Sequence, residues 1–160
     1  MAEHRAFFRS PIGTVEVAGT ETGLKGLRFV PGEPGRASES DPILKTALTQ
    51  LGEYFQGERR VFSLKLELDG TDFQRRVWRE LQRVPFGQTV SYGEVAAALG
   101  IPKAARAIGQ ANHNNPVSII IPCHRVVGSN GSLTGYGGGL WRKEWLLAHE
   151  RRDSPDNIIA

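Results

Sequence analysis

The pattern of the chain changes near Gly70, and that change limits the folds available to it. Before this point, short alternating apolar runs between turn-forming pairs predict strands. After it, apolar residues recur at helical spacing behind N-cap signals. We therefore predict an α+β protein with a small strand-and-helix domain over residues 1–70, a mainly helical domain over 71–150, and a tail over 151–160.

The turns and caps of the first domain place its elements. Asp41 is a predicted N-cap with Pro42 at the first helical position, where a missing N–H costs nothing. Apolar residues at helical spacing continue this helix until Gly57. The other predicted elements are strands over 5–10, 13–18 and 24–30, a surface loop over 31–40, and a returning strand over 61–68.

Two capping boxes begin helices in the second domain. In Thr71–Gln74 and in Ser91–Glu94, a hydroxyl N-cap precedes a long polar side chain by three residues. Gly100 ends the second helix, and a third is predicted over 103–113. Short helices joined by a tight glycine turn predict a helix-turn-helix in a winged-helix-like domain. The same pattern also fits an ordinary helical hairpin.

The predicted third helix carries small residues around one long central side chain, Arg106. Small residues permit either tight helix packing or entry into a narrow groove of DNA. Helices that read the major groove need long side chains that reach base edges. If this helix binds DNA, we therefore expect recognition of DNA shape or contact in the minor groove, with candidate contacts at Ala104, Ala105, Ala107 and Gly109.

Charge and hydropathy narrow the class of protein further. Residues 1–70 carry 9 basic and 10 acidic side chains, whereas residues 71–160 carry 11 and 7. A polyanion is therefore expected on the second half, although a merely solubilising basic surface explains the excess as well. No apolar run approaches the roughly 18 residues that span a bilayer, and no signal peptide is evident. We expect a soluble cytoplasmic protein that makes no membrane contact.

The single cysteine, Cys123, follows a strand-like apolar run over 117–121 and a proline. An isolated cysteine is often a buried, inert thiol. Here His124 and Arg125 follow it directly, and burying three polar groups without a purpose is costly. A nearby imidazole can take the thiol proton directly or through one water, and Glu150 is a candidate to orient it. The pattern favours a nucleophilic cysteine.

A glycine-rich segment over 135–139 lies downstream. It is not followed by Gly-Lys-Ser/Thr, which makes a nucleotide P-loop improbable. We expect a mobile loop whose exposed aromatic, Tyr136, lines the pocket of a flat ligand. In the next helix, Trp141 and Trp145 are predicted to lie on the face that packs in the core. The histidines show no metal-ligand spacing, so we expect no catalytic metal. We expect no other cofactor either.

Several spaced motifs together resemble those of the O6-alkylguanine-DNA alkyltransferases. They extend over about residues 71–150, and the first domain is compatible with the variable N-terminal domain of that family. The motifs are Pro85-Phe-Gly-Gln-Thr-Val-Ser-Tyr92, Lys103-Ala-Ala-Arg-Ala-Ile-Gly109, Asn115-Pro116, Ile121-Pro-Cys-His-Arg-Val126 and Lys143-Glu-Trp-Leu-Leu-Ala-His-Glu150.

The resemblance implies DNA repair by a single-turnover methyltransferase. The partner would be double-stranded DNA containing O6-alkylguanine, and O4-alkylthymine is expected as a further substrate. The damaged base would be flipped through the minor groove, and its alkyl group would pass irreversibly to Cys123. The protein is expected to be a monomer in the absence of DNA.

The resemblance also implies roles for individual residues. Tyr92 would favour flipping and protonate the guanine ring, and Arg106 would enter the duplex in place of the flipped base. Asn115 would brace the active-site turn. The implied catalytic residues are Cys123, His124, Glu150, Tyr92 and Asn115, and the implied pocket residues are Val126, Tyr136, Gly137 and Lys143.

One departure and two alternatives accompany this interpretation. Gly137 stands where some relatives carry a serine that can bond the substrate oxygen, which could weaken binding or enlarge the pocket. A non-transferring alkylated-DNA binding protein is the main alternative, but alkyltransferase-like proteins carry tryptophan at the position of Cys123. A cysteine hydrolase is less favoured, because a chain-adjacent nucleophile and base rarely face each other. No structural zinc is expected.

Overall fold

The structure, a computed structural model, describes residues 3–35 and 41–152. The chain divides after Asp69 into an N-terminal unit and a C-terminal unit. Both units contain helices and strands, which confirms the predicted α+β class. None of the helices in the described ranges is long and apolar enough to cross a bilayer.

The N-terminal unit is a three-stranded antiparallel sheet with one helix. Strand β2 is central, and all of its residues after Gly13 are buried. Asp41 caps the helix as predicted, because its Oδ1 accepts from the backbone N–H groups of Ile43 and Leu44. The elements are β1 (His4–Ser10), β2 (Gly13–Thr20), β3 (Gly23–Val30) and α1 (Pro42–Phe55).

The predicted returning strand over 61–68 is wrong. These residues form only one isolated parallel bridge to the sheet, between Leu66 and Leu24. The buried side chain of Gln50 in α1 takes the place of a neighbouring strand here. Its Nε2 donates to the carbonyl of Ser63 at 3.2 Å, and its Oε1 accepts from the N–H of Ser63 at 3.0 Å. Because the amide satisfies both backbone groups, the segment needs no ladder at this point.

The C-terminal unit is mainly helical. Both predicted capping boxes form, with reciprocal hydrogen bonds in Thr71–Gln74 and in Ser91–Glu94, all of 3.0 Å. The elements are α2 (Asp72–Leu81), β4 (Val90–Ser91), α3 (Tyr92–Ala98), α4 (Ala105–His113), a 3-10 turn (Cys123–Arg125), β5 (Val126–Val127) and α5 (Leu140–Arg152).

Helices α3 and α4 form the predicted helix-turn-helix. Gly100 ends α3 with a φ of 77°, in the left-handed region that favours glycine. Helix α4 begins at Ala105, two residues later than predicted. The reason is that Ala104 closes a separate turn, in which its N–H donates to the carbonyl of Ile101 at 2.9 Å.

The apolar run over 117–121 forms turns and is not the predicted strand. The N–H of Ile121 donates to the carbonyl of Val117 at 3.0 Å. Asn115 ties both ends of this run, since its Oδ1 accepts from the N–H of Val117 and its Nδ2 donates to the carbonyl of Ile121. Ile119 adopts a φ of 73°, which a strand does not allow. The run is apolar because alternate side chains are buried inside the loop.

Helix α5 differs from the prediction at its end. It extends through Arg152, so the first two residues of the predicted tail are helical. The remainder of that tail, 153–160, and residues 36–40 of the predicted surface loop lie outside the described residues.

The prediction of a core position is wrong for Trp141. This side chain is 56% exposed in the first turn of α5, where the guanidinium of Arg142 lies 4.5 Å from its ring centroid. Trp145 is half-buried and stacks on the ring of His149 at 4.9 Å between centroids.

Candidate active site

A two-residue parallel ladder positions the start of α3 beside the segment that follows the cysteine. Val90 pairs with Val126, and Ser91 pairs with Val127. The ladder therefore connects the residue before Tyr92 to the residues just after the 3-10 turn of Cys123. Sequence reasoning missed it, because two-residue strands show no periodicity.

Cys123 begins the 3-10 turn and is 5% exposed. Burial raises the pKa of its thiol above the ordinary value. Hydrogen bonds from the side chains of Asn115 and Ser118 and the charge of Lys143 act in the opposite direction. The resting sulfur is therefore a thiol that needs a base to become a nucleophile.

His124 and Glu150 form a buried pair. Nε2 of His124 lies 2.7 Å from Oε2 of Glu150, and both side chains are almost completely enclosed. The other ring nitrogen of His124, Nδ1, is also buried and has no hydrogen-bond partner among the described residues. Since Nε2 is engaged by the carboxylate, Nδ1 is the nitrogen free to accept a proton.

Arg125 completes this buried group. Its Nε donates to Oε1 of Glu150 at 2.7 Å, and its Nη2 donates to Oε2 at 3.0 Å. Its Nη1 donates to the carbonyl of Val84 at 2.8 Å. Burial alone would raise the pKa of Glu150, but the charges and hydrogen bonds of His124 and Arg125 outweigh it. The pKa of this carboxyl is held well below its usual range, so the group is a carboxylate.

Lys143 lies fully buried beneath the loop that follows β5. Its Nζ donates to the carbonyls of Val126 and Thr134, at 2.6 and 2.7 Å. Burial lowers the pKa of Lys143 to about 8, while the negative charge of Cys123 as a thiolate opposes that shift. The ammonium is thus a positive charge placed where it favours the thiolate.

The structure corrects the predicted exposure of Tyr136. The residue is half-buried, and burial followed by the charge of Cys123 raises the pKa of its phenol well above the ordinary value. The phenol oxygen itself is buried and does not lie in solvent. The neighbouring Gly137 is exposed, and a Cβ added there would meet nothing within 4 Å.

Tyr92 is the first residue of α3 and is half-buried. Its hydroxyl lies 2.8 Å from Oγ1 of Thr134, within hydrogen-bond distance. Its ring faces α4 at Gly109, where an added Cβ would lie 3.8 Å from the ring carbons. Because Gly109 has no side chain, the ring of Tyr92 can pack closely against α4.

The small-residue face of α4 is open to solvent around Arg106. Arg106 and Ala107 are exposed, whereas Ala105 and Gly109 are half-buried. Ala104 is the N-cap residue, and its methyl side chain accepts no hydrogen bond from the helix N–H groups. Apart from Tyr92 on α3, the candidate DNA-contacting residues thus lie on α4 and on the residue that precedes it.

Two family descriptions match the chain in succession. Residues 4–68 match "6-O-methylguanine DNA methyltransferase, ribonuclease-like domain". Residues 72–152, half of the chain, match "6-O-methylguanine DNA methyltransferase, DNA binding domain". The chain belongs to the 6-O-methylguanine DNA methyltransferase family.

Individual relatives agree with this methyltransferase assignment. The methylated-DNA–protein-cysteine methyltransferase of Mycolicibacterium paratuberculosis is 51% identical over 162 residues, which cover 99% of this chain and 98% of that protein. The protein of the same name from Methanosarcina acetivorans is 48% identical, with coverages of 91% and 96%.

Solved structures also resemble the chain over nearly its whole length. A crystal structure of the Mycobacterium tuberculosis O6-methylguanine methyltransferase has a TM-score of 0.85 and 44% identity, and covers 96% of both chains. Another, of Mycobacterium tuberculosis OGT in complex with DNA, has a TM-score of 0.83 and 46% identity over 95% of both chains. The predicted family and fold class are confirmed.

Two contributions to this methyltransferase site were not predicted. The sequence shows that Arg125 belongs to the motif, but it does not predict the two hydrogen bonds from Arg125 to Glu150. Thr134 carries no signal in the glycine-rich segment around it. The contacts of both residues depend on which distant backbone and side-chain groups the fold brings near them.

Proposed function

We propose that the chain repairs double-stranded DNA by transferring the alkyl group of O6-alkylguanine to Sγ of Cys123. The observation that carries this proposal is the buried cysteine beside a His124–Glu150 pair whose second ring nitrogen is unpartnered among the described residues. That arrangement can remove a proton from the thiol inside a family fold with a DNA-binding domain.

The first step is activation of the thiol. Nε2 of His124 pairs with Glu150, whereas Nδ1 has no hydrogen-bond partner in the described part of the chain. We therefore route the thiol proton to Nδ1 through one water molecule. Glu150 stabilises the imidazolium that forms, and the Lys143 charge stabilises the thiolate.

The second step is displacement at the alkyl carbon. The sulfur forms a bond to that carbon while the bond from carbon to the guanine oxygen breaks. The electron pair enters the guanine, and a ring nitrogen takes the proton of the Tyr92 phenol, so that neutral guanine leaves. The product is a thioether with no good leaving group. One protein therefore repairs one lesion.

The DNA would bind on the α3–α4 face. We propose that the damaged base leaves the stack through the minor groove and that Arg106 takes its place. The exposed guanidinium and the small neighbouring side chains support close approach of the helix to the duplex. The same face would contact DNA through Ala104, Ala105, Ala107 and Gly109.

The remaining site residues would shape the pocket. Asn115 holds the turn before Cys123 and lowers the pKa of its thiol, and the carbonyl of Val126 accepts from Lys143. Tyr136 and Gly137 would lie along the flipped base.

We include O4-alkylthymine as a substrate because it presents the same alkyl–oxygen bond beside a ring nitrogen. We also propose that the protein is a monomer before DNA binds.

The test is mass spectrometry of the intact protein and its peptides after incubation with duplex DNA that carries one O6-methylguanine. We expect one methyl group per chain, on the peptide containing Cys123, and none in Cys123→Ser. Lesion-dependent binding without a mass gain would instead indicate the non-transferring DNA-binding protein. Multiple turnovers on an activated ester would indicate a cysteine hydrolase.

A further inference from the structure

Thr134 forms two hydrogen bonds from an exposed position in the segment 128–139. Its Oγ1 lies 2.8 Å from the phenol oxygen of Tyr92, and its carbonyl accepts from Nζ of Lys143 at 2.7 Å. The residue thereby joins the first residue of α3 to the buried ammonium of α5. Its side chain and its backbone serve different partners.

The side-chain contact bears on the protonation step. A phenol that accepts a hydrogen bond becomes a better donor through its own O–H, because successive hydrogen bonds polarise one another. If Thr134 donates, the proton of Tyr92 is left free to point at the base. After that proton has moved to the ring nitrogen, the same Thr134 hydroxyl donates to the phenolate.

We propose that Thr134 is a positioning residue for Tyr92, whose phenol it directs toward the ring nitrogen of the flipped base. This inference rests on the proposed function, because it assumes that Tyr92 protonates the leaving guanine. It adds a residue outside the cysteine–histidine–glutamate group to the same reaction. It also assigns the donor role in the Tyr92–Thr134 pair to the threonine hydroxyl.

A structural role for Thr134 can be separated from this one. Thr134→Val removes the hydroxyl while the backbone carbonyl remains for Lys143, and it keeps the size and branching of the side chain. Thr134→Ser restores the hydroxyl. Because the threonine side chain is exposed, neither variant is expected to change the thermal unfolding temperature.

The experiment measures the single-turnover rate of methyl transfer from duplex O6-methylguanine in a double-mutant cycle. The variants are Thr134→Val, Thr134→Ser, Tyr92→Phe and the Thr134→Val/Tyr92→Phe pair. Loss of one hydrogen bond predicts a rate that is roughly 3- to 10-fold lower in Thr134→Val. Thr134→Ser should recover most of the wild-type rate. In the Tyr92→Phe background, Thr134→Val should cause no further loss.

The outcomes distinguish the two proposals. A wild-type chain that gains no methyl on Cys123 overturns the proposed function and this inference with it. A wild-type chain that is methylated, with Thr134→Val equally fast, overturns this inference alone. An equal loss from Thr134→Val with and without the Tyr92 hydroxyl does so too, because it assigns the effect to the loop and not to the phenol.

Discussion

Arg125 holds both carboxylate oxygens of Glu150, through Nε at 2.7 Å and Nη2 at 3.0 Å. Both side chains are buried, and a buried carboxylate is costly unless it is paired and hydrogen-bonded. Since His124 bonds to the same carboxylate, Arg125 fixes the group that orients the proposed base. Arg125, the residue directly after His124, thus holds in place the carboxylate to which His124 is hydrogen-bonded.

Replacing Arg125 should therefore affect stability and transfer together. Arg125→Ala takes the guanidinium away from the buried Glu150 carboxylate and leaves the Val84 carbonyl without this donor, so we expect a loss of about 3–5 kcal/mol in the free energy of unfolding. Urea denaturation measures it. Arg83→Ala is the control: that side chain is exposed and pairs with Glu80 at 3.8 Å, so its loss should cost less than about 0.5 kcal/mol. Equal losses in the two variants would contradict the prediction.

Glu150 should also make stability depend on acid pH. Because its pKa is lowered in the folded state, the unfolded chain takes up the proton first as the pH falls. Its contribution is complete above the unfolded pKa of about 4.3 and is lost as the pH falls through the folded pKa. Denaturation at pH 7, 5, 4 and 3 should show a flatter pH dependence in Glu150→Gln than in wild type. The exposed Glu144→Gln on the same helix should retain the wild-type slope.

Local signals in the sequence predicted most of the helices and strands. The Asp41 cap and the two capping boxes depend on residues three or fewer positions apart, and each forms as predicted. The run over 117–121 shows where such signals fail. A short apolar run of this kind is typical of a strand, but Asn115 draws the ends together and the buried side chains line a loop. An apolar run predicts burial and not the backbone conformation that provides it.

The site was predicted to a similar extent. Motif residues such as Cys123, His124 and Glu150 could be named, and the structure brings the last two into contact. The phenol partner Thr134 could not be named, because nothing in a glycine-rich loop marks which hydroxyl meets a helix 42 positions away. The burial of Lys143 could not be predicted either, since its two carbonyl partners come from separate segments.

The charge of Lys143 should set the pH dependence of transfer. Its ammonium lowers the pKa of Cys123, so Lys143→Met should raise that pKa and slow transfer near neutral pH. A shift of about one pKa unit corresponds to roughly tenfold less thiolate. Because the pKa of Lys143 is itself about 8, the two rates should converge above that pH. Single-turnover rates from pH 6 to 9.5 measure this, with the exposed Lys103→Met as control. A constant ratio across the range would contradict an electrostatic role.

The Gly137→Ser variant should fold normally and show a changed substrate preference. Gly137 has open space where a Cβ would lie and is not among the described glycines with a positive φ, so Gly137→Ser should alter the free energy of unfolding by less than about 0.5 kcal/mol. Gly100→Ser is the matched control and should cost about 1 kcal/mol, because φ there is 77°. The ratio of transfer rates from O6-methylguanine and O6-benzylguanine in DNA should rise in Gly137→Ser. An unchanged ratio would place residue 137 outside the pocket.

Arg106 should matter for duplex DNA and not for the chemistry itself. Flipping a base costs a few kcal/mol, and a side chain that fills the space left in the stack offsets part of that cost. Arg106→Ala should therefore slow transfer from duplex O6-methylguanine on the order of 10- to 100-fold, while the reaction with free O6-benzylguanine stays within about twofold. Arg79→Ala removes the same charge from an exposed position on α2. It should leave the reaction with free O6-benzylguanine unchanged, and it should slow transfer from duplex DNA only as far as the lost charge weakens DNA binding. If Arg106→Ala slowed both reactions equally, Arg106 would act on the pocket or on the fold. The proposal that it takes the place of the flipped base would then be wrong.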